Sequence, residues 1–321
     1  MMKKFKKLVL LGIGEQLLAS EYWKQLGALT EKIVHISKDD KREFRERELA
    51  DADGLLVNQF VIPAPKDIIA SAPNLKYIGV FSTAYGKVDF EYANKKGVVV
   101  CNIPGFSTEA VSEFAFGVIL EYIRDIERCK QLAREGDFSE VPKFPLYEIK
   151  GKTFGVIGLG RIGMRIAELA QAFGADVCYW SRHRRKDAEA RGIKYSDVDK
   201  LISECNFLST NLALTKDTEN FMNAARIAKI KSGSVFINLS ANELIDFDAL
   251  KKRLAKNDMV YIADHSDEMS PELVKSLQAF KNCILYPPLA FATNEARVLK
   301  QEMLISNAEN FLKGKPTNIV N

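Results

Sequence analysis

G-L-G-R-I-G, Gly158 to Gly163, is the stretch on which the reading of this chain turns. It follows K-T-F-G-V-I, Lys152 to Ile157, a short apolar run that reads as a buried strand. It opens Met164 to Phe173, which reads as a helix with Ile162, Ile166, Leu169, Ala170 and Phe173 on one face and Gly174 as its stop. Gly158 permits a tight strand-to-helix turn. Gly160 lets the backbone approach a pyrophosphate, and Gly163 lets the helix pack on the strand. The helix N-terminus then offers free N–H groups and partial positive charge to phosphates. Alone the pattern is weak; between a strand and an amphipathic helix it points strongly to a dinucleotide. Arg161 and Ile162 inside the motif, and Leu212 at the end of a later strand, complete the expected lining.

The bulk properties narrow the class. A length of 321 residues favours two domains. With 47% hydrophobic and 27% charged residues the chain reads as a soluble globular protein with ample core. A net charge of +4 from scattered basic residues gives no indication of nucleic acid. The start M-M-K-K-F-K-K-L-V-L-L-G-I-G superficially resembles a signal peptide, but Glu15 and Gln16 follow and no small-residue cleavage site appears, so a first strand is expected. No stretch is long enough to span a membrane. Cys101, Cys129, Cys178, Cys205 and Cys283 show neither metal nor disulfide spacing, and no metal is expected. These features predict a cytoplasmic protein with a reduced interior.

Strand and helix signals alternate nearly throughout, which predicts α/β layering with parallel sheets. The first strands fall at Leu8–Leu11, Lys32–Ile36, Gly54–Asn58, Lys76–Val80 and Val98–Cys101. A long helix is expected from Thr108 to Arg134, capped by Ser107 or Thr108 with Glu109 in its first turn. A polar stretch at Glu135–Glu148 leads into the fingerprint strand. Six strands follow at Lys152–Ile157, Val177–Trp180, Phe207–Leu212, Ser234–Leu239, Met259–Ala263 and Cys283–Leu285. A last helix, Asn294 to Leu312, and the tail T-N-I-V-N return to the first unit. The expected architecture is two doubly wound parallel-sheet domains, with residues 1–103 and 293–321 forming a flavodoxin-like substrate domain. Residues 104–292 form the Rossmann domain, and a small-molecule ligand is expected in a cleft between the two.

Several segments together resemble the D-isomer-specific 2-hydroxyacid dehydrogenase family over nearly the whole length. S-T-A-Y-G-K-V-D (Ser82–Asp89) is similar to its substrate loop, and N-I-P-G-F-S-T-E-A-V-S-E-F (Asn102–Phe114) to its interdomain helix start. G-K-T-F-G-V-I-G-L-G-R-I-G (Gly151–Gly163) is close to its cofactor motif, and Leu214–Asn238 and the tail G-K-P-T-N-I-V-N match its spacing. The loops lean toward the glyoxylate and hydroxypyruvate reductase branch. The resemblance implies hydride transfer between a nicotinamide and a 2-keto or D-2-hydroxy acid, and a homodimer through the cofactor domain.

The family's catalytic residues are an Arg that grips the substrate carboxylate, a Glu, and a His that the Glu supports. Here N-L-S-A-N-E (Asn238–Glu243) places Ala241 at the Arg position. I-A-D-H-S-D-E (Ile262–Glu268) places Asp264 at the family Asp that bonds the nicotinamide carboxamide, and Asp267 at the Glu. Pro288 stands for the His. Ala241 cannot offer a planar fork to a carboxylate, and Pro288 cannot transfer a proton, a function worth about 10²–10⁴-fold in rate. Three replacement residues are weighed. His265 lies at a strand end with a suitable ordinary pKa, but strand alternation sends neighbours to opposite sides, so if Asp264 faces the cofactor His265 faces away. Asp267 acts only if burial raises its pKa; otherwise it is a solvated loop acid. Tyr85 either bonds a substrate oxygen or is a packed rim aromatic.

The ribose strand ends V-C-Y-W-S-R-H-R-R-K, Val177 to Lys186, with Ser181 where NAD-preferring members carry an Asp. Loss of that carboxylate removes repulsion against a 2′-phosphate, and Arg182, with His183 or Arg184, can bond one. The resemblance therefore implies NADP(H) as preferred cofactor and NAD(H) as the second. The functional expectation is an oxidoreductase with a rebuilt site and an unassigned carbonyl or hydroxy substrate. The rival is a cofactor-binding regulatory protein that has lost turnover.

Overall fold

Short runs of β-branched and leucine residues, apolar on both faces, account for the layering: a strand buried on both sides needs a helix layer above and below it. The structure, a computed structural model, describes residues 3–138 and 144–321. The chain divides into two compact units, residues 1–106 with 294–321 and residues 107–293.

In the first unit five parallel strands run β1 (Leu8–Leu11), β2 (Ile33–Ile36), β3 (Gly54–Val57), β4 (Tyr77–Val80) and β5 (Val99–Cys101), in the order β2-β1-β3-β4-β5. β1, β3 and β4 are buried along their whole length. The helix Asn294–Leu312 closes one face, burying Leu304, Ile305 and Ala308. Its Phe311 ring lies 4.8 Å from Tyr77 and stacks on Phe5 at 5.8 Å. The tail returns to the sheet edge, where Ile319 bridges Cys101 and the Val320 amide donates to the Val100 carbonyl.

The second unit carries β6 (Thr153–Ile157), β7 (Asp176–Trp180), β8 (Lys194–Tyr195), β9 (Phe207–Thr210), β10 (Val235–Asn238), β11 (Val260–Ala263) and β12 (Cys283–Leu285). All pair in parallel, in the order β12-β11-β10-β9-β6-β7-β8. The strand reversal at β6–β9 is the switch point beside which doubly wound sheets bind ligands. Seven strands replace the six expected: β8 is two exposed residues, Lys194 and Tyr195, too short and polar to signal a strand.

The long helix is also corrected. Asp125 adopts φ 44°, a left-handed conformation, and divides it into Thr108–Arg124 and Ile126–Arg134. Asp is one of the few side chains that tolerates this region, so an uninterrupted helical pattern conceals the break. Ser107 precedes the first piece but its hydroxyl makes no capping bond. Residues 139–143 of the expected Glu135–Glu148 link lie outside the described residues. Among the described residues no helix is long and apolar enough to cross a membrane.

Candidate active site

The fingerprint has the geometry a bound pyrophosphate requires. Gly158 follows β6 at φ 92°, and a Cβ there would meet the Asn211 carbonyl oxygen at 2.8 Å. A Cβ on Gly163 would collide with the Gly158 carbonyl, so only glycine lets the helix Arg161–Ala172 start this close to the strand. A Cβ on Gly160 would meet nothing within 4 Å, which leaves its backbone open to an approaching group. Beside it is a cavity of about 360 Å³, bordered by Gly160, Arg161, Thr108, Arg165 and Arg185. Ile162 is half-buried against the core. Leu212 lies just beyond β9, its amide donating to the Ser240 hydroxyl at 2.8 Å. The buried Asn211 Oδ1 and Asn242 Oδ1 have no donor within the described residues. Two orphan acceptors at the carboxyl ends of the strands, with an open glycine cradle, fit a dinucleotide that brings donors of its own.

At the ribose end, Ser181 bonds the His183 carbonyl at 2.5 Å. Arg182 pairs with Asp217 at 3.1 Å, both exposed, and Arg184 pairs with Glu189 at 2.6 Å. Sequence reasoning missed Arg185. Its amide donates to the Tyr179 hydroxyl at 2.7 Å, and its Nη1 reaches the Leu159 carbonyl of the fingerprint loop at 3.1 Å. Four neighbouring basic residues look alike in one dimension; only the bond to buried Tyr179 selects which one turns inward.

The candidate chemistry gathers at the end of β11. Asp264 is 2% exposed, and its Oδ1 accepts the Leu289 amide at 3.2 Å. Burial raises its carboxyl above the ordinary range, opposed by the nearby His265 and by backbone amides. His265 departs from the alternation expected of it. β11 has ended, and His265 sits at φ 61°, so its ring folds back until Nε2 lies 3.3 Å from Asp264 Oδ2. The ring also lies nearly parallel to Phe291, centroids 6.1 Å apart. Asn242 Nδ2 donates to the His265 carbonyl at 3.1 Å and fixes the turn. The Nδ1 side of the imidazole has no partner among the described residues, and the side chain is 30% exposed.

Within the second unit, Asp267 makes no hydrogen bond or ion pair with this pair among the described residues. Asp267 is exposed in the single 3-10 turn Ser266–Glu268. Tyr85 belongs to the first unit, where it packs edge-on against Phe90 at 5.4 Å. Ala241 is half-buried and packs against the core. No group of three or more potential metal ligands occurs among the described residues.

The family model for the D-isomer specific 2-hydroxyacid dehydrogenase NAD binding domain matches residues 116–290. A hydroxypyruvate reductase from Blautia hydrogenotrophica is 34% identical over 309 residues, covering 93% of this chain and 94% of its own. A glyoxylate reductase from Thermococcus litoralis is 35% identical over 264 residues, 80% of each chain. Among solved structures, an acyclic imino acid reductase in complex with NADPH and D-Arg superposes with a TM-score of 0.84 at 26% identity, over 98% of this chain and all (100%) of its own. A D-lactate dehydrogenase from Aquifex aeolicus, complexed with NAD and lactic acid, gives 0.82 at 25% identity, over 96% of both chains. None of these relatives favours the regulatory alternative. The parallel sheets, the glycine cradle and these likenesses agree, and the chain belongs to the D-isomer specific 2-hydroxyacid dehydrogenase family of NAD(P)-dependent oxidoreductases.

Proposed function

We propose that this enzyme is an NADP(H)-preferring reductase of a small 2-oxo acid in which His265, held by Asp264, replaces the missing family histidine as proton donor. The observation that carries this reading is the 3.3 Å approach of His265 Nε2 to the buried Asp264 carboxylate. A carboxylate on one ring nitrogen orients the imidazole and leaves the other nitrogen to work. A nicotinamide bound at the glycine cradle would supply a hydride to the carbonyl carbon. As the C=O π pair moves onto oxygen, His265 Nδ1 gives that oxygen its proton, and the exposed ring is reprotonated from solvent. The product is a 2-hydroxy acid, and one NADPH is oxidised for each carbonyl reduced.

A second reading has its own support. Pro288 and Ala241 remove the family proton donor and carboxylate clamp, and one structural neighbour is an imino acid reductase bound to NADPH. A protonated imine carries its proton already, so hydride addition to its carbon yields the amine with no general acid. NADPH oxidation with glyoxylate, with and without methylamine, separates the two. Oxidation by glyoxylate alone, lost in His265→Ala, supports the first; oxidation that requires methylamine and survives His265→Ala supports the second. No oxidation in either arm, nor with hydroxypyruvate or pyruvate, refutes both.

We also assign the protein to the cytoplasm as a homodimer. The support for the dimer is a run of exposed apolar side chains in the second unit: Ile126, Phe138 and Tyr147. Light scattering that gives a monomer across the micromolar range refutes the dimer.

A further inference from the structure

Cys178 and Cys205 lie 27 residues apart in sequence, and the fold sets their sulfurs 3.3 Å from each other. Gly155 makes the meeting possible. It is the partner of Cys178 in the β6–β7 register, and paired residues of neighbouring parallel strands face the same side of the sheet. Because Gly155 has no Cβ, that side has room beside Cys178. Cys205 Sγ fills it, 2.7 Å from where a Cβ on Gly155 would stand. Cys205 is held at this notch from both sides in sequence. It follows the helix Val198–Glu204, and its amide donates to the Leu201 carbonyl at 3.2 Å. The next amide, of Asn206, donates to the Thr153 carbonyl at 2.9 Å. Both thiols belong to the second unit. A disulfide has about 2.05 Å between its sulfurs, so little more than an ångström remains to be closed.

The two thiols are not equivalent. Cys178 has a second acceptor in reach, the Phe154 carbonyl at 3.8 Å. With its own proton turned there, Cys178 becomes the acceptor for the Cys205 proton. That hydrogen bond holds Cys178 below the usual thiol range against the opposing effect of burial, and pushes Cys205 up. Cys101 and Cys283 are pushed up to about 12 by burial alone. Cys178 is half-buried, whereas Cys205 is 1% exposed. The thiolate is the form of cysteine that oxidants attack, and a sulfenic acid with a thiol beside it condenses to a disulfide. Among the described residues no other two cysteine sulfurs lie within bonding distance.

We propose that Cys178 and Cys205 form a reversible modification site for hydroperoxides, with Cys178 as the oxidised thiol and Cys205 as the thiol that resolves it. The Cys178 thiolate attacks the terminal peroxide oxygen. The O–O bond breaks, the other oxygen leaves and takes the proton that Cys178 gave up, and Cys178 becomes a sulfenic acid. The Cys205 sulfur then attacks the Cys178 sulfur. The S–S bond forms, the S–O bond breaks, and the hydroxyl leaves as water with the Cys205 proton. The two thiols lose two electrons and two protons, and the peroxide takes up both. The new bond ties β7, which runs on into the ribose segment Ser181–Arg185, to the turn that opens β9. Exchange with a reducing dithiol restores both thiols.

The test treats the full chain with a small excess of hydrogen peroxide at neutral pH. The reaction is quenched with an alkylating agent in denaturant, and the cysteines are mapped by mass spectrometry without reduction. The parent is expected to lose two hydrogens and to yield a peptide linked through Cys178 and Cys205, with Cys101, Cys129 and Cys283 alkylated. Dithiothreitol is expected to return both thiols. Cys205→Ser is expected to leave Cys178 as a sulfenic acid that dimedone traps and further peroxide carries to the irreversible sulfinic acid. Cys178→Ser is expected to leave Cys205 a thiol. Melting temperatures of the reduced variants close to the parent's check folding, and the parent map decides the question if a variant does not fold. The proposal is overturned if Cys178 and Cys205 both remain alkylated in the parent, or if Cys178 goes to sulfinic acid with no disulfide. Disulfides formed equally among the other cysteines overturn it as well.

Discussion

His265 and Asp264 are adjacent in sequence, yet His265 Nε2 lies 3.3 Å from Asp264 Oδ2. An extended backbone would send them to opposite faces. The left-handed turn at His265 brings them together, and left-handed residues other than glycine concentrate where a site over-determines them. This pair sits beside Leu289, whose amide donates to Asp264 Oδ1 at 3.2 Å.

His265→Ala is expected to slow hydride transfer to glyoxylate about 10²–10⁴-fold, the usual worth of a positioned acid. NADPH affinity should stay within about twofold of the parent, because the ring touches no part of the glycine cradle. Asp264→Asn should lower turnover as well, since the ring loses the carboxylate that orients it. Single-turnover stopped-flow across pH reads both effects. A parent-like rate in His265→Ala returns the proton to solvent or substrate.

Asp264 should also limit stability. Its carboxyl is raised in the folded state by burial, so the folded chain binds this proton more tightly than the unfolded chain. The contribution to stability is full below the unfolded carboxyl pKa and is lost as pH rises through the raised folded value. At neutral pH the buried carboxylate therefore weighs against folding. Asp264→Asn is expected to melt several degrees above the parent at neutral pH, and the gap should close toward about pH 3. A gap that widens in acid contradicts this account.

For the ribose site, Arg185→Ala is expected to weaken NADPH about 10–100-fold through loss of a charge-assisted bond and of the anchored loop. Arg182→Ala should cost less: each arginine has an exposed carboxylate partner, Asp217 and Asp187, but only Arg185 also bonds the Leu159 carbonyl of the fingerprint loop. Ser181→Asp should favour NADH by restoring a ribose acceptor and repelling a 2′-phosphate. Fluorescence titration of both nucleotides measures all three, and equal parent affinities for NADPH and NADH, unmoved by any of them, would refute the preference.

Gly163→Ala tests the cradle. Its Cβ would collide with the Gly158 carbonyl, which is backbone and cannot swing aside. We expect a loss of about 1–3 kcal/mol in denaturant unfolding, with dinucleotide binding lost alongside. Gly160→Ala has room for its Cβ, so it should keep the stability and lose only affinity. Equal stability for both variants contradicts the assigned roles.

Much of this protein follows from local pattern. β1, β12 and the helix Asn294–Leu312 end where their apolar runs and stop signals end, because periodicity reports which face is buried and glycine reports which turn is tight. The roles of Gly158, Gly160 and Gly163 follow from the same covalent facts, since a missing Cβ has one steric meaning in any sequence. That Ala241 and Pro288 offer neither a guanidinium nor an imidazole is likewise plain in one dimension. Tertiary structure alone decided the rest. The left-handed turns at Asp125 and His265 are permitted by their residue types but not required by them. At His265 the turn is held by the buried Asp264 carboxylate, the Asn242 amide and the Phe291 ring. Arg185 stands out from the basic run only through Tyr179. Sequence fixes which groups are available; desolvation and direction, which give a charged group its chemistry, arise only when distant segments pack around it.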